Sequence, residues 1–224
     1  MGTRTRVKIC GITAADHGLA AARAGADAIG FVFWSGTPRM VARNRAAEIA
    51  ASMPPFVSLV GLFVDPDAAE VHATLAAVPL DVLQFHGAEP PEFCRSFGKP
   101  YLKAIAVGDG LGEAGLLECA QRYGDAAGLL FDAPPVDGMP GGTGRTFAWS
   151  ALSARFCERL ARPIVLSGGL HPGNVGAAIR AVRPWAVDVS SGVEALHPDG
   201  TTVKGIKDPA RIGAFIEEVR NADG

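Results

Sequence analysis

Residues 7–13 read VKICGIT, a short β-branched run that ends on a cysteine and breaks at a glycine. Seven more apolar runs follow it: ADAIGFVF (26–33), VSLVGLFV (57–64), LDVLQFHG (80–87), YLKAIAV (101–107), AAGLLFDA (126–133), PIVLSGG (163–169) and AVDVSSG (186–192). Each is nearly continuous in apolar residues, the pattern of strands covered on both faces as in a parallel sheet. Between them lie Ala-rich segments such as AADHGLAAARAG and PDAAEVHATLAAV, whose apolar residues recur at three and four residues and read as amphipathic helices. Helix-start chemistry is read at Thr13, Asp65-Pro66, Pro172-Gly173-Asn174 and Asp208-Pro209. The first turn decides between two architectures. An open doubly wound sheet usually has fewer strands and a GxGxxG turn after the first; CGIT (10–13) has no such turn. Eight strand–helix units in 224 residues match a single (β/α)8 TIM barrel spanning residues 1–224.

The totals narrow the function classes. The chain is 48% apolar and 20% charged with a net charge of −2, which fits a globular domain and gives no basic surface for nucleic acid or an anionic membrane. No apolar run reaches the length of a membrane span, and MGTRTRVKICGI is not read as a signal peptide. The four cysteines, Cys10, Cys94, Cys119 and Cys157, have no CxxC or metal spacing. Unpaired thiols suit a reducing, cytoplasmic setting. No histidine pair has metal spacing, so no metal site is expected.

In such a barrel the active site lies at the C-terminal strand ends, and the reactive residue types of this chain collect there. Cys94, Cys119 and Cys157 fall in helical stretches and read as small buried hydrophobes. Cys10 instead closes the first strand and faces the barrel mouth. Lys8, two residues back on the same side, is expected to increase its ionised fraction. Asp132 ends the sixth strand before Pro134-Pro135, a carboxylate in an apolar setting that needs a partner or a raised pKa, and hence a candidate general acid. Arg39, fixed by Pro38 in the loop after the second strand, could hold a carboxylate bidentately. His86 tips the fourth strand. PGGTGRTFAW (140–149), LSGGLHPGNV (166–175) and DVSSGVE (188–194) place three Gly-rich segments after strands 6, 7 and 8, where backbone N–H groups can cradle a phosphate. An anion is expected on the amides of Gly142, Gly169 and Ser191 or Gly192. The candidate site is therefore Cys10 and Asp132 as reacting groups. Around them stand Lys8, Arg39, His86, Gly142, Gly144, Gly168, Gly169, Asp188, Ser190, Ser191 and Gly192 as substrate contacts.

With these residues in place, the chain resembles the phosphoribosylanthranilate isomerases essentially end to end. KICGIT, GFVFWSGTPRMV, LQFHGAEPPEFC, LLFDA, GGTGRTFAW, PIVLSGGLHPGNV and DVSSGVE…GIKDPARIGAFI occur in the family's order. The resemblance implies that Cys10 is the general base, Asp132 the general acid, and Arg39 the residue that holds the anthranilate carboxylate. Thr37 stands where the family often has serine, and Ala148 where many members have aspartate. The implied reaction is an Amadori rearrangement of N-(5′-phosphoribosyl)anthranilate to the 1-amino-1-deoxyribulose 5-phosphate, in tryptophan synthesis. It needs one acid, one base and no cofactor. The implied partner is this small phosphosugar, with the chain a monomer or homodimer. Two other readings stand beside it: another phosphosugar isomerase or epimerase of the barrel class, and a sugar-phosphate-binding protein without catalysis. A metal-dependent epimerase would need ligands at several tips, and a dual histidine/tryptophan isomerase would carry aspartate where Cys10 stands.

Overall fold

A computed structural model describes residues 4–108, 112–134, 144, 146–160 and 162–224. Eight parallel strands close into a barrel in chain order: β1 (Arg6–Cys10), β2 (Ala28–Val32), β3 (Ser58–Phe63), β4 (Val82–Phe85), β5 (Tyr101–Ala106), β6 (Gly128–Asp132), β7 (Ile164–Leu166) and β8 (Ala186–Val189). Closure comes from β1 pairing with β8, with Lys8 opposite Asp188. Helices α1 (Ala15–Ala24), α2 (Arg43–Ala51), α3 (Ala68–Ala77), α4 (Pro91–Arg95), α5 (Glu113–Arg122), α6 (Ala154–Arg159), α7 (Val175–Val182) and α8 (Pro209–Asp223) alternate with them. All eight apolar runs become strands, each shorter than its run because the run continues into the loop above. The runs ending in His-Gly, Ser-Gly-Gly and Ser-Ser-Gly lose those residues to the βα loops.

Side chains alternate along each strand, and the core divides accordingly. Ile9, Ile29, Phe31, Phe63, Phe85, Leu129, Phe131 and Val187 pack with helix residues such as Ala21, Ile49, Val71, Ile179 and Phe215 in one large cluster. Ala104, Leu130, Val165 and Ala186, all from strands, form a separate layer inside the barrel. Cys10, Val32 and Leu62, with Trp34 and Val64 against them, make the layer nearest the mouth. The site therefore has a largely apolar floor, with polar groups gathered in the upper part of the strands and the loops above them.

Three helix-start expectations change in detail. Asp208 caps α8, its carboxylate accepting from the Ala210 and Arg211 amides. Thr13 does not cap α1; its hydroxyl donates to the Gly205 carbonyl at 2.8 Å. Asp67, not Asp65, caps α3, while Asp65 adopts a positive φ and accepts from the Ala88 amide. Asn174 precedes α7 but uses its carboxamide on the His171 amide. The sequence reading also lacks a β-hairpin, β9 (Glu194–Leu196) and β10 (Thr202–Lys207), between β8 and α8. Its turn contains Pro198-Asp199-Gly200, a strong turn signal. Among the described residues no helix is long and apolar enough to cross a membrane.

Candidate active site

At the C-terminal end of the barrel lies a half-open cavity lined by Cys10, Trp34, Arg39, Gln84, His86, Asp132, Ser167 to Leu170, and Asp188 to Ser191. With Leu62 and Val64 at the end of β3 also in the lining, seven of the eight strands and their loops bring residues from both ends of the chain to one chamber.

On one side stands Cys10, the last residue of β1. Its register partner on β2 is Gly30. A Cβ at Gly30 would lie 2.9 Å from the Cys10 Sγ and 3.1 Å from the Lys8 Cε, so the absence of a side chain there makes room for both. The expected effect of Lys8 is present but overridden. Burial pushes the Cys10 thiol above its ordinary pKa; Lys8 and Lys207 pull it down, and Asp188 pushes it up again. Lys8 donates to Asp188 at 2.7 Å, both side chains being buried, so much of its charge is already cancelled. Burial opposes the charge on Lys8, but Asp188 and Cys10 outweigh it and hold the ammonium protonated above its usual range. The resting thiol is accordingly protonated.

Another wall carries Asp132, buried at the end of β6. It has the partners a buried carboxylate needs: the Ala133 amide at 2.8 Å on Oδ1 and His86 Nε2 at 3.2 Å on Oδ2. His86 Nδ1 in turn meets the Gln84 carboxamide at 3.2 Å, while Gln84 Oε1 is buried without a partner. Gln84 escaped the sequence reading because it looks like part of an apolar strand.

Arg39 lines the chamber but is not a free surface cation. Its Nε and Nη2 bind the two carboxylate oxygens of Glu194 at 2.7 and 2.9 Å, in the bidentate geometry expected of arginine. Nη1 has no hydrogen-bond partner among the described residues. Glu194 also accepts from the Gly205 amide at 2.9 Å and lies 3.3 Å from Lys207 Nζ. Lys207 donates further to the Ser190 carbonyl at 2.9 Å. Glu194 and Lys207 face one another across the β9–β10 pairing. They too were missed as site residues, although both lie in the stretch DVSSGVE…GIKDPA; nothing local signals that they meet Arg39.

The glycine-rich loops adjoin the same chamber. Gly168, Gly169, Ser190 and Ser191 line it. Gly144, Gly169, Ser191 and Gly192 line a contiguous outer recess, together with His171, Lys204 and Arg211. The amides of Gly169, Ser191 and Gly192 have no hydrogen-bond partner among the described residues. A side chain at Gly192 would collide with the Leu170 carbonyl, so the loops after β7 and β8 close on each other only because that position is glycine. Gly142 lies outside the described residues. One further device stands behind His86. The buried Glu89 accepts from Lys103 Nζ at 2.7 Å and from the Asp65 amide at 2.8 Å, and Tyr123 donates to its carbonyl, which fixes the loop after β4. Among the described residues no cluster of His, Cys, Asp and Glu could hold a metal ion.

The arrangement sets a thiol and a carboxylate around one chamber, beside the buried Arg39–Glu194 pair and a recess lined by glycine-rich loops. Known proteins share this chain's sequence and fold. The family model described as N-(5'phosphoribosyl)anthranilate (PRA) isomerase matches residues 7–218. An N-(5'-phosphoribosyl)anthranilate isomerase of Alcanivorax borkumensis is 54% identical over 218 residues, covering 97% of this chain and 96% of that protein. The crystal structure of phosphoribosyl anthranilate isomerase from Thermotoga maritima superposes with a TM-score of 0.84 at 38% identity, over 97% of this chain and 99% of that one. A phosphoribosyl anthranilate isomerase in complex with reduced 1-(o-carboxyphenylamino)-1-deoxyribulose 5-phosphate does so at 0.81 and 36%, with the same coverage. On this match, which spans nearly the whole chain in both sequence and structure, the protein belongs to the N-(5'-phosphoribosyl)anthranilate isomerase family.

Proposed function

We infer that this chain isomerises N-(5′-phosphoribosyl)anthranilate to 1-(2-carboxyphenylamino)-1-deoxyribulose 5-phosphate, an intramolecular aldose–ketose conversion in the formation of L-tryptophan. The observation that carries the assignment of roles is that Cys10 and Asp132 line one chamber with Arg39 and the loops after β7 and β8. Asp132 donates a proton to the furanose ring oxygen, and the ring opens to a protonated imine. Cys10, as thiolate, takes the proton from C2. The resulting enolamine tautomerises to the ketone, and the thiol and carboxyl exchange their proton states for the next turn. The phosphate rests on the amides of Gly169, Ser191 and Gly192, and Arg39 takes the ring carboxylate through its outer nitrogen. Both anchors lie away from the reacting carbons, so their binding energy serves orientation. No step is a redox step, and none requires a cofactor.

The test is turnover, followed as loss of the anthranilate substrate's fluorescence. Cys10→Ser keeps the size but gives a far weaker acid to ionise, and Asp132→Asn cannot release a proton. Each is expected to lower kcat by about 10² or more, with circular dichroism unchanged. A folded Cys10→Ser protein nearly as fast as the parent would remove Cys10 from the reaction. Absence of turnover in the parent, with tight binding of the sugar phosphate, would favour a binding protein. Monomer and homodimer both remain compatible with this reading, and sedimentation of the purified chain decides between them.

A further inference from the structure

Eight ionic side chains are buried among the described residues: the cations Lys8, Arg39, Lys103 and Lys207, and the anions Glu89, Asp132, Asp188 and Glu194. Three pairs cancel: Lys8 with Asp188, Arg39 with Glu194 and Lys103 with Glu89. Asp132 is held by His86 in another part of the chamber. Lys207 is left over. It reaches Glu194 at 3.3 Å, but both oxygens of that carboxylate are already engaged by Arg39, so one anion serves two cations. Arg39 by itself therefore presents a nearly neutral ion pair to an incoming carboxylate. The unbalanced charge of the corner belongs to a side chain that is fully buried and does not line the chamber.

We propose that Lys207, buried behind Arg39 on the shared carboxylate Glu194, supplies the net positive charge with which the Arg39 corner accepts the substrate's ring carboxylate. Lys207 is thus a positioning and specificity residue that acts through Glu194 and Arg39 and never touches the substrate. The inference rests on the assignment of Arg39 made above. It follows from the geometry that removing the Lys207 charge turns a cationic corner into a neutral one. Attraction for an aryl carboxylate then falls, whereas any shift of the loop after β8 that follows from losing the Lys207–Ser190 hydrogen bonds acts equally on ligands with and without that carboxylate. The groups facing Lys207 are Glu194 on β9, Arg39 after β2, Ser190 after β8 and Cys10 on β1. Burial, reinforced by Arg39, lowers the Lys207 pKa to about 8 against the opposing pull of Glu194 and Cys10. The charge is then present at neutral pH and lost in mildly alkaline solution.

The experiment compares two ligands on the whole chain by calorimetry: reduced 1-(o-carboxyphenylamino)-1-deoxyribulose 5-phosphate and its counterpart without the ring carboxylate. Their affinity ratio cancels the phosphate titration common to both, and carrying out the series in a Cys10→Ser background removes the titration of the thiol that faces the same corner. In the parent the ratio is expected to favour the carboxylate at about pH 7 and to fall about tenfold by about pH 9.5, the scale of one lost charge a few ångströms away at protein-like dielectric. Lys207→Met should show the low ratio at all pH values, and Lys207→Arg should recover the high ratio and keep it into alkali. A ratio that is flat with pH in the parent overturns the proposal without any variant, as does a Lys207→Met protein that discriminates like the parent. A parent that shows no preference for the carboxylate even at about pH 7 overturns the assignment of Arg39 itself. If Lys207→Met does not fold, the parent's pH series alone decides.

Discussion

At the scale of single residues, the role proposed for Cys10 turns on how its thiol is housed. Burial raises its pKa and two nearby lysines lower it, with the net effect upward, so the thiolate is a minor form whose share grows with pH. The housing itself depends on Gly30, opposite Cys10 in the β1–β2 ladder. A methyl group at Gly30 would stand 2.9 Å from Sγ, closer than van der Waals contact allows, and Lys8 Cε at 3.1 Å blocks the other escape. Gly30→Ala must therefore move the thiol, while leaving Arg39 and the glycine-rich loops where they are. The expected outcome is a fall in kcat of about 10², the effect of misplacing a reacting group by about 1 Å, with KM little changed. Steady-state kinetics on the folded variant checks it, and an unchanged kcat would show that the exact position of Sγ is unimportant.

At the scale of elements, two constructions aim the side chains. The hairpin β9–β10 places Glu194 opposite Lys207 and so steers Arg39 over the chamber. The Glu89–Lys103 pair ties the loop that carries His86 to β5 and to the Asp65 turn. Both partners are buried, so removing one leaves an uncompensated charge. Lys103→Met is expected to lower unfolding free energy by about 3–5 kcal/mol, and the double variant Glu89→Gln with Lys103→Met to recover part of that loss. Urea denaturation of the single and double variants measures it. A single variant as stable as the parent would mean that the pair does not hold this loop.

At the scale of the whole molecule, the buried charges make stability a function of pH. Burial opposes ionisation of Glu194, but Arg39, Lys207 and the Gly205 amide outweigh it and hold its carboxyl below its ordinary value of 4.5. A carboxyl with a depressed folded-state pKa contributes stability that is fully present above the unfolded value and is lost as pH falls through the folded one. The Tm difference between the parent and Glu194→Gln is therefore expected to be widest near neutrality and to narrow below about pH 4.5, as the parent's carboxylate takes up its proton. Thermal melts across that range provide the measurement. A constant difference down to strong acid would show that the cluster does not depend on the Glu194 charge.

What the chain determined by itself follows from interactions that are local or periodic. Strands covered on both faces need apolar residues at nearly every position, so all eight runs could be read directly. The absence of a GxGxxG turn at CGIT then pointed to closure rather than an open sheet. Strand tips are strand ends, so Cys10, Asp132, His86 and the glycine-rich loops could be assigned to the mouth from order alone. Capping was less legible, because Thr13 and Asp65 carry the right side chains but find other partners, the Gly205 carbonyl and the Ala88 amide. The net electrostatic state of the site was not legible: the pull of Lys8 on Cys10 could be read, but not the burial and the Asp188 partner that override it. Lys8 meets Asp188 only because the barrel closes β1 onto β8. Arg39 meets Glu194 and Lys207 only because a hairpin folds back over the loop after β2. Spacing along the chain gives the type of each charged group. Its partner and its desolvation are set by contacts between residues far apart in sequence, and these exist only in the closed barrel.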